Sequence, residues 1–172
     1  HRHFVPIVKL AHGENERREV AMARWGLVPF WMKAVPKVPH INARAEAIER
    51  TGLFREAFAA RRCLVPATGF YEWERRGDIK QPYRFRLRSG DPFAFAGLWE
   101  YAKIEGEGLL STTIIVTSAN ELVGRIHDRM PVILPAEHYA AWLDPDTDQA
   151  EAKALLQPLP AELMESYPVS TI

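Results

Sequence analysis

Cys63-Leu64-Val65-Pro66-Ala67-Thr68-Gly69-Phe70-Tyr71-Glu72-Trp73 sets one acid inside an otherwise apolar and aromatic run. Pro66 lacks a ladder donor and Gly69 weakens a strand interior, so the run divides into a short strand at 63–65, a turn, and a second strand at 70–74. A strand period of two puts Gly69, Tyr71 and Trp73 on one face and Phe70, Glu72 and Glu74 on the other. If the Phe70 face is buried, Glu72 loses hydration and its pKa rises toward the range useful for proton transfer. If that face is wet, Glu72 is an ordinary solvated residue, as on the open side of many antiparallel sheets.

Strand patterns continue on both sides of this run. Upstream, Val5-Pro6-Ile7-Val8-Lys9-Leu10, a turn at Gly13-Glu14-Asn15-Glu16 and the run 19–28 ending at Pro29 read as a strand pair. Downstream, Arg75-Arg76-Gly77-Asp78 turns the chain, and Tyr83, Phe85 and Leu87 then alternate with Arg84, Arg86 and Arg88 as a half-buried strand with a basic edge. A strand at 93–99 leads through a glycine-bearing loop at 105–108 to 111–117, β-branched almost throughout and expected at the centre of the sheet. A further strand is expected at 132–134. Helices are few and short. Leu53, Phe54, Ala57 and Phe58 recur at helical spacing behind Thr51, a candidate N-cap. Tyr139, Trp142 and Leu143 form a stripe behind Pro135, and Asp148 with Glu151 resembles a capping box for a helix over 149–157. The chain reads as an α+β fold: a single domain over 1–172, built on a mostly antiparallel, partly closed β-sheet with short flanking helices.

With 172 residues, 47% of them hydrophobic, the chain can build one real core. Lys plus Arg and Asp plus Glu each number 22, so no global field draws it to nucleic acid and any anion site must be local. A single cysteine, Cys63, excludes an internal disulfide and fits a reducing, cytoplasmic location. No apolar run is long enough to cross a membrane, so no membrane association is expected. The histidines His1, His3, His12, His40 and His138 are scattered without zinc-like spacing, and neither a metal nor a cofactor is expected.

Several polar groups are candidates for chemistry. In His40-Ile41-Asn42-Ala43-Arg44-Ala45-Glu46, read as a turn, Asn42 offers a donor and an acceptor and Arg44 a planar fork suited to phosphate. Each has a structural alternative, Asn42 as a turn residue and Arg44 as a solvated side chain near Glu46. In Arg125-Ile126-His127-Asp128-Arg129-Met130-Pro131, read as irregular, His127 can donate or accept a proton near neutral pH, or it closes a salt-linked turn. Phe30-Trp31-Met32, ahead of Pro36 and Pro39, is either a stacking surface or the underside of a packed loop. Arg61 and Arg62 could depress the Cys63 thiol pKa, but with no histidine near it in sequence Cys63 reads as a small buried hydrophobe.

In this order and spacing, Ile41-Asn42-Ala43-Arg44, Gly69-Phe70-Tyr71-Glu72-Trp73 and Ile126-His127-Asp128-Arg129-Met130-Pro131, with Trp25-Gly26-Leu27 and Cys63-Leu64-Val65-Pro66, resemble the SOS response-associated peptidase family. Members of that family process abasic sites in single-stranded DNA. The resemblance implies a monomeric enzyme that binds single-stranded DNA containing abasic sites and forms a covalent thiazolidine link through an N-terminal cysteine, with associated autoproteolytic processing. The alternatives are a noncatalytic single-stranded DNA or RNA binding module using the same groove, and a general peptidase. The resemblance makes Glu72 and His127 proton-transfer groups and Asn42 an orienting side chain. It makes Arg44 and Arg129 contacts to the DNA backbone, and Trp25 and Trp73 stacking platforms, with Trp73 facing away from Glu72. The chain departs from the family in having no cysteine near His1 and no leading Cys-Gly-Arg segment. The expectation is therefore that an N-terminal segment carrying the nucleophile is missing. Cys63 cannot replace it, because a thiazolidine needs an amine and a thiol on one residue.

Overall fold

The computed structural model describes residues 3–11 and 17–171; the turn expected at 13–16, with His1 and His12, lies outside them. Strands β1 (Phe4–Leu10) and β2 (Arg18–Trp25) form the expected antiparallel pair, with Val8 opposite Val20. Then follow β3 (Asn42–Arg44), α1 (Arg55–Ala60), β4 (Arg62–Ala67), β5 (Phe70–Arg76), β6 (Ile79–Leu87) and β7 (Phe93–Ile104). The chain continues through β8 (Glu107–Ser118), β9 (Arg129–Pro131), β10 (Ile133–Leu134), α2 (Tyr139–Leu143), α3 (Gln149–Ala154) and β11 (Met164–Pro168).

The larger sheet is eight-stranded and closed into a barrel, which corrects the expectation of partial closure: neighbours run β7-β4-β1-β2-β8, and β8 pairs back on β7. It is also mixed, because β2 and β3 both lie parallel to β8. Closure has a local cause. Strands β7 and β8 are each 12 residues long, enough for β7 to pair with β4 over 93–98 and with β8 over 97–104. Gly97 sits where the two pairings overlap. A Cβ there would lie 2.9 Å from Val65 Cγ2 and 3.1 Å from the Thr113 carbonyl oxygen, so the two flanking strands can approach this closely only against glycine. A closed barrel leaves few unpaired strand edges for another chain to pair with.

A three-stranded antiparallel sheet, β11-β6-β5, packs outside the barrel. Residues 42–44 and 129–131, read from sequence as a turn and an irregular break, are instead short strands on β8. Three residues are too few to show a period, and what makes them strands is the ladder that β8 offers. Thr51 does not cap α1: its Oγ1 donates to the Ala47 carbonyl at 2.8 Å, and the cap position falls on Phe54. Asp148 does cap α3, accepting from Ala150 N at 3.1 Å, though that helix ends at Ala154, short of the expected 157.

Two cores flank the barrel wall. Phe58 from α1, Leu98 and Ile115 from the barrel and Trp142 from α2 fill one, and Ile7, Phe85, Phe95, Met130 and Met164 fill the other, beneath the small sheet. The first core buries Arg62, which is 3% exposed. Its guanidinium donates to the carbonyls of Phe58 (2.7 Å), Trp142 (2.8 Å) and Asp144 (2.5 Å), all at or near helix ends where carbonyls lack helical partners. Among the described residues, no helix is long and apolar enough to cross a membrane.

Candidate active site

Strand β5 forms one wall of the site, and Gly69 sets its approach. A Cβ at Gly69 would lie 2.8 Å from both the Phe85 carbonyl oxygen and Arg84 Nε, so only glycine lets the chain pass this close to β6. The next residue, Phe70, stacks on Phe85 at 5.2 Å between ring centroids and meets Phe95 edge-on at 6.1 Å. The Phe70 face is therefore the covered one. Glu72, on that face, is half-buried and makes no hydrogen bond among the described residues. Loss of water raises its pKa above the ordinary carboxylate value, and the nearby His127 opposes part of that rise. Glu72 thus stands between the two environments open to it from sequence, partly dehydrated by the covered face yet open to the cleft.

A cleft of about 730 Å³ opens between this strand and the barrel. Val65, Ile114 and Met130 contribute apolar lining, while Trp25, Asn42, Arg44, Glu72, Trp73, His127 and Arg129 all border it. The seven residues to which the family resemblance gives roles are thus brought to one place, whereas Phe30 and Trp31, half-exposed, lie outside the cleft lining. Strand β8 does this by carrying β3 on one side and β9 on the other: Val116 faces Arg44 in one pairing and Pro131 in the other. In β3 the middle residue Ala43 is buried, which turns Asn42 and Arg44 outward. The Asn42 and Arg44 side chains make no hydrogen bond among the described residues and are free to meet a ligand.

His127 holds its ring through one nitrogen. Nδ1 lies 3.1 Å from Arg129 N and 3.0 Å from Arg129 O, so it is committed to that backbone in either tautomer. Nε2 is left for a ligand. Asp128 Oδ1 stands 3.6 Å from Nδ1.

Arg129 differs from Arg44. Its Nη1 and Nη2 donate to the two Glu46 carboxylate oxygens at 2.9 and 2.8 Å, and Nη2 also donates to the Val116 carbonyl at 3.1 Å. This fork holds the Glu46 carboxyl below its ordinary range. Sequence reading set Glu46 beside its neighbour Arg44 and missed this partner, because nothing local signals a pair formed across the β3–β8–β9 ladder. Trp25 is also fixed, its Nε1 donating to the Ile41 carbonyl at 2.9 Å. Trp73 is 53% exposed and, although on the opposite strand face from Glu72, still borders the cleft.

Cys63 is fully buried, 3.6 Å from Thr112 Oγ1, and burial pushes its thiol up to about 12. The hydrogen bond with Thr112 and the charge of Lys9 offset only part of that rise, and the adjacent arginines do not add to the offset, since Arg62 is turned to helix-end carbonyls and Arg61 to Glu100. No group of three or more acids, histidines or cysteines that could hold a metal occurs among the described residues.

The sequence model of a family described as SOS response associated peptidase matches residues 2–172. Abasic site processing protein YoqW of Bacillus subtilis (strain 168) is 46% identical over 165 residues, covering 93% of this chain and 72% of that protein. Abasic site processing protein HMCES of Gallus gallus is 34% identical over 186 residues, covering 92% and 54%. A solved structure of a protein from Bacteroides thetaiotaomicron superposes with a TM-score of 0.88 at 33% identity, covering 97% of this chain and 74% of that one.

Proposed function

The chain belongs to the SOS response associated peptidase family, and from that premise we propose that it processes abasic sites in single-stranded DNA by covalent capture in the cleft beside β5. The observation that carries this reading is the meeting of Asn42, Glu72 and His127, from distant stretches of chain, around one cleft of about 730 Å³. An unpaired, partly dehydrated carboxylate and an imidazole with a free nitrogen suit a reaction that moves protons at several steps.

The ring-opened abasic sugar presents an aldehyde. An N-terminal cysteine amine adds to it, water leaves to give an imine, and the thiol adds across the C=N bond to close a thiazolidine; one C–N and one C–S bond form for each water released. Glu72 and His127 move the protons, one delivered to the ring oxygen as the sugar opens and one to the hydroxyl that departs as water. Asn42 orients the sugar. Cys63 does not supply the attacking group, because it is buried and has no free amine. Autoproteolytic processing uses the same groups.

Arg44 and Arg129 are the proposed contacts to the DNA backbone, with Trp25 and Trp73 as its stacking surfaces. Arg44 has the freer guanidinium, and Arg129 acts while tied to Glu46. Incubating the complete, processed protein with abasic single-stranded DNA tests the reading. An adduct that survives denaturation is expected; salt-sensitive binding with no adduct would reduce the protein to a binding module.

A further inference from the structure

The β5–β6 hairpin has an outward face whose Tyr71 and Trp73 rim the cleft and whose Arg75 and Lys80 lie beyond it. Tyr71, Trp73 and Arg75 follow one another there at a period of two, and the antiparallel register sets Lys80 opposite Arg75 and Pro82 opposite Trp73. Directly paired residues in an antiparallel ladder project to the same side, so Tyr71, Trp73, Arg75 and Lys80 share this face with Arg84, whose guanidinium is turned to Thr68. Tyr71 is 50% and Trp73 53% exposed, whereas Phe70, on the other face, is stacked beneath the sheet. Arg75 and Lys80 are exposed and make no hydrogen bond or ion pair among the described residues. Of the acids of this hairpin, Glu72 and Glu74 project to the opposite face, Glu74 accepting from Arg76 at 2.8 Å, and Asp78 sits in the turn between the strands. Two like charges paired directly across a ladder repel, a cost that a bridging anion removes. A recess of about 470 Å³ lined by Glu72, Trp73, Arg75, Lys80 and His127 joins this face to the reacting groups.

We propose that the outward face of the β5–β6 hairpin is a second DNA subsite that takes the single strand where it leaves the cleft. Arg75 and Lys80 hold its phosphates beyond Trp73, and Tyr71 and Trp73, which also rim the cleft, stack the bases that lead to them. The proposal rests on the reading of the cleft given above. Stacking on ring faces tolerates every base and phosphates carry no sequence, so the subsite is indifferent to flanking sequence and lengthens the footprint instead.

The test uses the complete, processed protein, the double variant Arg75→Ala/Lys80→Ala and the reversal Arg75→Glu/Lys80→Glu. Affinity is measured against salt on a single-stranded oligonucleotide carrying a tetrahydrofuran abasic analogue, which has no aldehyde and cannot be captured. Two lost phosphate contacts make the slope of log affinity on log salt shallower by about 1.4 in the alanine variant, so its deficit shrinks about sevenfold between about 50 and about 200 mM salt. The loss is larger on a long oligonucleotide than on a short one centred on the lesion, and the reversal weakens binding further. Slopes unchanged in both variants overturn the subsite. Adduct formation with true abasic DNA, measured on the same preparations, separates the two readings: an adduct with unmoved slopes sinks the subsite alone, and shifted slopes with no adduct sink covalent capture alone. No salt-dependent binding by the unaltered protein sinks both.

Discussion

Glu72 and Glu100 are both lifted above the ordinary carboxylate value by loss of water, yet they stand in opposite kinds of surroundings. Glu100 projects from β7 into the protein, 2% exposed. It accepts from Arg61 Nε at 2.6 Å and from the Phe30 amide at 3.1 Å, and so ties the 27–40 loop to the barrel. Glu72 has no such partner, borders an open cleft and faces an imidazole. A dehydrated carboxylate that is fully satisfied and sealed holds the fold; one that is unsatisfied and reachable is available for proton transfer. A raised pKa alone does not distinguish them, and partners and access do.

The contrast is open to direct attack. Glu72→Gln, nearly isosteric, is expected to slow adduct formation by about 100- to 10,000-fold while moving the unfolding midpoint little. Equal losses in rate and in DNA affinity would remove the proton-transfer role. Glu100→Ala reverses the pattern: it strands Arg61 and the Phe30 amide and costs about 3 kcal/mol in urea unfolding. A stable Glu100→Ala protein with impaired chemistry would erase the distinction drawn here.

The two arginines of the cleft repeat the contrast on a smaller scale. Arg44→Ala is expected to make the salt slope of DNA binding shallower by about 0.7 without altering stability. Arg129→Ala removes a bidentate partner from Glu46, so it lowers the unfolding midpoint as well as weakening binding to all sequences alike. Identical behaviour of the two variants would show that the Glu46 fork does not matter.

The smallest effect is in the pH dependence of stability. A carboxyl whose native pKa is raised keeps its proton in the folded state after the unfolded chain has lost it. Stability therefore falls as pH rises from 4.5 through the raised value and is flat above it. Glu46 and Glu49, whose pKa values are lowered, act oppositely, adding stability that is lost as pH falls below 4.5. Urea midpoints recorded from about pH 4 to about pH 8 should decline less steeply in Glu72→Gln than in the unaltered protein. An identical decline would mean that Glu72 is as well hydrated in the cleft as in the unfolded chain.

Local sequence carried the strand alternation at 70–74 and 83–87, the β-branched centre at 111–117 and the Asp148 cap, because periods, propensities and caps act over a few residues. The same short range identified Asn42, Glu72 and His127 as chemically capable groups, and the pattern of three motifs identified the family. What short range could not decide was barrel closure, which depends on β7 pairing with β4 and with β8 across Gly97. Nor could it give strand character to 42–44 and 129–131, which comes from the ladder of β8 alone. The state of each polar group was settled the same way. Burial and partnership are properties of neighbours distant in the chain, so only the packed molecule left Glu72 half-buried and unpaired, Glu100 dry and satisfied, and Arg129 bound to an acid that sequence had set beside Arg44.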